Sequence, residues 1–358
     1  MTVTGGYPAP GPQDREPNGG RSYAGPPPTG PAMHPPLPAQ QQIPMLTAHK
    51  PGIVPLRPLL FGDILDGAVK AVRFNPKSMV GLSVLVLGAF LVPSAALGVG
   101  ATALSARLLN TRGPEAQALV GVPAALIQAL LTLLATGVLS GLLSYVVSQA
   151  VLGRKPDMAA TWRSARARVL SLLVLVVLTL LVSLASTTLL IGPGVLLLVT
   201  DSLGAGIALL VLGSLGLVAL SLFFSTKISL AAPAIVLEGH GVRTGLGRSF
   251  ALTKGSAFWR VLGITLVAGI LAGIAGWLLG LPFTIIGTGI ALLTGQDSET
   301  GQMVVTFSSN LSALLTGAIT TPFVAAVTGL LYIDRRMRLE ALDVVLLREA
   351  QSNPAPRI

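Results

Sequence analysis

At 358 residues the chain is long enough for two soluble domains, but only 11% of it is charged and 52% is hydrophobic, against roughly 25% charged in ordinary globular proteins. Several apolar runs exceed the roughly 18 residues that mark a spanning helix, which excludes a soluble fold and predicts an all-α membrane protein. The net charge of +10 then belongs to loops that set orientation and meet anionic headgroups, not to a nucleic-acid surface. The lack of cysteine excludes disulfides, thiolate metal sites and thiol nucleophiles.

Residues 1–50 hold twelve of the 26 prolines and many glycines. Such a tract buries too little apolar surface to offset its ordering entropy, so it reads as a disordered Pro/Gly-rich tail. It lacks the basic start and apolar core of a signal peptide. Pro35–Pro36–Leu37–Pro38 suits either a solvated tail or a polyproline II ligand for a protein partner. A polytopic helical domain is expected over 51–347, followed by a short C-terminal tail, 348–358.

From Leu59 to Asn75 the spacing predicts a first surface helix. Phe61, Ile64, Leu65, Ala68 and Val72 form its apolar stripe, and Asp63, Asp66, Lys70 and Arg73 lie opposite. Asp66 and Lys70 stand at i, i+4, and Asn75–Pro76 ends the helix. Six spanning helices are then expected near 79–104, 118–150, 169–191, 204–226, 260–281 and 308–332. The stretch from Leu281 to Leu293, interrupted by Pro282, Gly287 and Gly289, reads either as the fifth helix continuing past a kink or as a re-entrant segment. A second surface helix carries Met158, Trp162, Ala165 and Val169 on one stripe, and a third carries Val242, Leu246 and Phe250. A final one is expected from Asp334 to Glu349. Three units, each a surface helix followed by a helix pair, fit this order.

Loop charge predicts orientation. The 152–168 loop holds Arg154, Lys155, Arg163, Arg166 and Arg168. The 227–260 loop holds Lys227, Arg243, Arg248, Lys254 and Arg260, and the C-terminal segment holds Arg335, Arg336, Arg338, Arg348 and Arg357. The 192–203 and 294–307 loops carry only Asp201, Asp297 and Glu299. Basic residues collect on the cytoplasmic side, so a multi-pass protein of the cell membrane with both termini cytoplasmic is expected.

No catalytic set emerges. His240 lies between two glycines with Glu238 nearby, which is too few ligands for a metal and suits a surface turn. Gly-x-Ser-x-Gly and a phosphate-binding glycine loop are absent. Gly137/Gly141 and Gly269/Gly273 are small-xxx-small pairs that serve close packing within the chain or dimerisation. Lys227 borders the membrane and can snorkel. The residues expected to meet lipid headgroups are Arg163, Arg166, Arg168, Arg243, Arg248 and Lys254, beside Trp162 and Phe250. Neither a cofactor nor a metal is expected. The reading is a non-enzymatic membrane protein that organises lipids or protein partners at the cytoplasmic face, with no nucleic-acid partner. The alternative is a carrier for an uncharged or amphiphilic small molecule or lipid.

Two stretches carry a family resemblance: Pro233-Ala-Ile-Val-Leu-Glu238 through Arg248-Ser-Phe-Ala-Leu-Thr-Lys254 to Phe258-Trp-Arg260, and Leu331-Tyr-Ile-Asp-Arg-Arg-Met-Arg-Leu-Glu340. They resemble the integral membrane domain associated with bacterial glycerophosphoryl diester phosphodiesterases. Pro55-Leu-Arg-Pro-Leu-Leu-Phe-Gly-Asp-Ile-Leu-Asp-Gly67 and the proline-rich tail resemble a stand-alone actinobacterial branch of that family. The resemblance covers roughly 51–347 and implies a multi-helix membrane domain. It does not bring the phosphodiesterase activity with it. That enzyme resembles a soluble (β/α)₈ barrel opening on a metal-binding His-Arg-Gly, and the histidines here are His34, His49 and His240.

Overall fold

The computed structural model describes residues 52–55, 57–112, 115–200, 202–295 and 298–340. The Pro/Gly-rich tail 1–50, the C-terminal stretch 341–358 with its tail 348–358, and the loop residues Asp201 and Asp297 lie outside the described residues. Among the described residues there are ten α-helices and no strand: α1 (Phe61–Phe74), α2 (Pro76–Arg112), α3 (Glu115–Val151), α4 (Met158–Ala165), α5 (Val169–Val199), α6 (Leu203–Ile228), α7 (Ala231–Leu237), α8 (Val242–Leu252), α9 (Ser256–Thr294) and α10 (Glu299–Glu340). A single 3₁₀ turn, Arg166–Arg168, joins α4 to α5. Six spans are long and apolar enough to cross a bilayer, so the chain is an all-α membrane protein, as its composition requires.

The spans form antiparallel hairpins, α2–α3, α5–α6 and α9–α10, each introduced by a short helix (α1, α4 and α8). The centre is built by α3 and α10. Leu139, Leu142, Leu143 and Val147 of α3 and Ala326, Val327, Leu330 and Leu331 of α10 are fully buried. They meet Met79 and Leu82 of α2 and Val261 and Ile264 of α9. The α5–α6 hairpin is peripheral: 11% and 6% of its two spans are buried, against 44% for α10. Its leucines and valines face outward, where hydrocarbon replaces protein as their solvent.

Several helices exceed their expected lengths. The segment 192–203 is not all loop, because α5 continues through Pro193 to Val199. Leu281–Leu293 is the continuous end of α9, which settles the choice between kinked helix and re-entrant segment. Asp334 does not begin a separate surface helix. It lies inside α10, which runs unbroken to Glu340. With 39 and 42 residues, α9 and α10 rise roughly 58 and 63 Å, about twice the hydrocarbon core, so each carries turns beyond it. Hydropathy marks only the apolar part of such a helix. Backbone hydrogen bonding carries the rest.

The short helices bury part of each expected stripe and leave its aromatic residues outside: Ile64, Ala68 and Ala165 are buried, and Leu65, Val72, Val169, Val242 and Leu246 pack against the core. In α1 the buried set is Ile64, Gly67, Ala68 and Ala71, while Phe61 is exposed. In α4 Thr161 and Ala165 are buried, whereas Met158 and Trp162 are exposed. In α8 Gly245, Ser249 and Leu252 are buried, and Phe250 is exposed. Mostly small residues let each helix lie close on the bundle. A Cβ at Gly245 would stand 2.5 Å from Ile235 Cγ1. Phe61, Met158, Trp162 and Phe250 are left to point away.

Candidate functional site

The short helices, the starts of α2 and α9 and the ends of α3, α6 and α10 meet at one end of the bundle. Asn75 caps α2 by accepting the Ser78 N–H at 3.2 Å and donates to Pro156 O at 2.8 Å, joining α2 to the turn before α4. Ser78 Oγ donates to the same carbonyl at 2.7 Å. Asp157 caps α4 through the Ala160 N–H at 2.6 Å. Ile53 N donates to Ala150 O at 3.3 Å, laying the segment before α1 on the end of α3.

Two polar networks hold this end together. In the first, Asp334 has no solvent exposure and accepts the Leu59 N–H at 2.8 Å, Arg338 Nε at 2.9 and 3.1 Å, and Arg260 Nη2 at 3.2 Å. The Leu59 carbonyl in turn accepts both Arg260 Nη2 and Arg338 Nη2 at 2.7 Å. One carboxylate and two guanidiniums thus grip the backbone N–H and C=O of a single residue ahead of α1. Arg335 Nε adds a bond to Leu252 O at 3.0 Å, tying α10 to the end of α8. A buried carboxylate is tolerated only where charge and hydrogen bonds satisfy it, and this one is saturated.

The second network centres on Glu238, at the end of α7. It accepts Arg248 Nε at 3.0 and 3.1 Å and the Tyr332 hydroxyl. His240 Nε2 stands 2.9 Å and Arg336 Nε 3.4 Å from it. Arg248 also pairs with Glu340, which accepts Arg336 Nε at 2.8 Å. Two carboxylates and two guanidiniums balance. Burial works against the charge on Arg248, but its bonds to Glu238 and Glu340 outweigh that and raise its pKa above the ordinary arginine value. His240 therefore belongs to an ion-pair network. Among the described residues no group of three or more His, Cys, Asp or Glu side chains could hold a metal.

Lys227, at the end of α6, does not reach for solvent. Its Nζ donates to Thr253 O at 2.8 Å and lies 5.4–5.8 Å from the ring centres of Phe223, Phe250 and Phe258. Rings and carbonyl together take the place of water around the ammonium.

The six residues expected to meet headgroups divide between these settings. Arg163, Arg166, Arg243 and Lys254 are exposed. Arg168 is half-buried over the turn at Gly239, whose φ of +70° is left-handed and where an added Cβ would stand 3.0 Å from Arg168 Nη2. Arg248 is turned inward to Glu238 and Glu340. The i, i+4 spacing of Asp334 and Arg338 is a pairing the sequence offers, and the two do pair. What the sequence does not show is their joint grip on Leu59 with Arg260. Both networks draw on three stretches of the chain, 55–67, 233–260 and 331–340: Leu59, Glu238, Arg248, Arg260, Tyr332, Asp334, Arg336, Arg338 and Glu340.

Over segments 57–77, 154–168, 227–260 and 334–340 this end carries seventeen lysines and arginines against six carboxylates. Each carboxylate already accepts an ion pair or a backbone N–H. The surplus charge is therefore positive and directed outward. No protein-family model, curated protein or solved structure matches the chain.

Proposed function

We propose that this chain is a non-catalytic protein of the cell membrane, both termini cytoplasmic, whose basic end retains anionic phospholipid headgroups and so organises lipid at the cytoplasmic face. The observation that carries it is the surplus itself. Arg163, Arg166, Arg243 and Lys254 are exposed beside outward-facing Trp162 and Phe250, and among the described residues of this end lysine and arginine outnumber carboxylates seventeen to six. Aromatic rings and basic side chains together mark helices that lie at a headgroup layer. Each cation near an anionic leaflet contributes about 1 kcal/mol, over a range of about a Debye length. Basic residues also collect on the cytoplasmic side of membrane proteins, which supports the orientation.

The test compares wild type with a variant carrying Arg163→Gln, Arg166→Gln, Arg243→Gln and Lys254→Gln, all outside the two networks. Phospholipid that copurifies with each is measured by mass spectrometry. Loss of anionic species, with zwitterionic species retained, is expected. Equal anionic retention in two correctly inserted proteins would reject the reading.

A further inference from the structure

Two cavities lie deeper, between the peripheral α5–α6 hairpin and the centre of the bundle. One, an open crevice of about 430 Å³, is lined by α3, α5, α6, α7 and α10. The other, also open, of about 460 Å³, is lined by α6, α9 and α10. Ser225, Ser229, Val324 and Thr328 line both, so they adjoin across α10. Either volume falls in the range of small-molecule sites, about 300–1,000 Å³. The gap exists because α6 packs on α5 along its length but touches α9 only lightly.

The chemistry of the walls is one-sided. No Asp, Glu, Lys, Arg or His lines either cavity. Lys227 sits between Ser225 and Ser229 in sequence but faces the other way, into its rings and the Thr253 carbonyl. The polar groups are hydroxyls, and each has one donor and two acceptor lone pairs. Most of the donors are already spent on their own helices: Thr136 on Thr132 O at 3.0 Å, Thr179 on Leu175 O at 2.9 Å and Ser225 on Leu222 O at 3.2 Å. Ser229 donates to Thr226 O at 2.8 Å, Thr265 to Val261 O at 2.8 Å, Thr320 to Thr316 O at 2.9 Å and Thr328 to Ala325 O at 3.0 Å. What these seven oxygens still offer is acceptance, so acceptors outnumber the donors left at Ser140 and Thr321.

We infer that the paired cavity binds an uncharged amphiphile whose polar group carries hydrogen-bond donors, a hydroxyl or an amide N–H, with its chain along the apolar walls. In hydrocarbon an unpaired donor costs several kcal/mol, so such a molecule gains by entering a crevice of free acceptors. A phosphate would find no cation there. The site borders the basic end at Ile228, Ser229 and Ala232 but differs from it in chemistry, and it stands whether or not that end retains anionic lipid.

The full-length protein in nanodiscs is photolabelled with a diazirine-bearing hexadecanol, and the labelled peptides are mapped by mass spectrometry. Unlabelled hexadecanol and its methyl ether, which has the same chain and no donor, serve as competitors. Label is expected within 222–229, 262–270 and 320–328, with the alcohol competing about tenfold better than the ether, the worth of one hydrogen bond. Thr136→Val, Thr179→Val and Thr328→Val together should abolish that preference, while the four-glutamine variant of the basic end should keep it. Equal competition by alcohol and ether on the wild type would overturn the inference, even if the valine variant did not fold. Label spread over the lipid-facing surface would overturn it too.

Discussion

Replacing Asp334 by asparagine tests the grip on the Leu59 backbone. The asparagine oxygen can still accept the Leu59 N–H, now at 2.8 Å from Oδ1. Its amide N–H₂, however, turns donors toward Arg338 and Arg260, and the only charge opposing those guanidiniums in this network is gone. Removing one side of a buried ion pair costs about 3–5 kcal/mol. Here the arginine side chains are 30% and 32% exposed and keep their bonds to the Leu59 carbonyl, so the low end applies, about 3 kcal/mol. Asp66→Asn is the matched control. Asp66 pairs with Lys70 at i, i+4 on an open helix face, where side-chain exposures are 61% and 45%, and such pairs contribute about 0.3–0.5 kcal/mol. Reversible unfolding in mixed dodecyl maltoside and SDS micelles, followed by tryptophan fluorescence with Trp259 adjacent to Arg260, measures both. If Asp334→Asn falls within about 0.5 kcal/mol of wild type, like the control, the network does not hold α1 to α9 and α10.

The two glycine pairs should separate cleanly. A Cβ at Gly137 would lie 2.1 Å from Val176 Cγ2, and valine is stiff at χ1, so Gly137→Ala should lose about 1–3 kcal/mol by overpacking. Gly273 has nothing within 4 Å, so Gly273→Ala should be neutral or gain up to about 1 kcal/mol of helix propensity; thermal unfolding in detergent giving the opposite order would contradict the helix contacts. Asn75→Ala loses the α2 cap and the bond to Pro156 O, for about 1 kcal/mol. Asn75→Asp, which restores the cap acceptor without the donor, should recover part of that loss, and a full loss would place the interaction elsewhere.

Hydropathy was enough to find all six spans because each is a long unbroken apolar run, and the bundle has no other way to satisfy its backbone in lipid. It did not find where the helices stop. α5 passes through Gly192-Pro193-Gly194 and α9 through Pro282, since a proline in a membrane helix is accommodated by its neighbours. The apolar stripes of α1, α4 and α8 are only partly turned inward for a related reason. In water their aromatic residues would be buried too, but at a bilayer Phe61, Trp162 and Phe250 can remain outside while Ile64, Ala68, Ala165 and Leu246 of the same stripes pack on the bundle. At the candidate site the excess of arginine was legible and its partition was not. Arg248 and Arg163 look alike in sequence, and only the fold brings Glu238 and Glu340 to one of them. The Asp334 grip joins residues 275 positions apart, a separation at which no local pattern carries information.

The proposed function requires that the basic end, with its exposed Arg163 and Lys254, face the cytoplasm. The absence of cysteine allows a direct test with single cysteines at Ser164, in α4 at the basic end, and Ser298, in the turn between α9 and α10. Intact cells are treated with a membrane-impermeant maleimide. The account predicts labelling of the Ser298→Cys protein and none of the Ser164→Cys protein until the cells are opened. Labelling of Ser164→Cys with protection of Ser298→Cys in intact cells would contradict it.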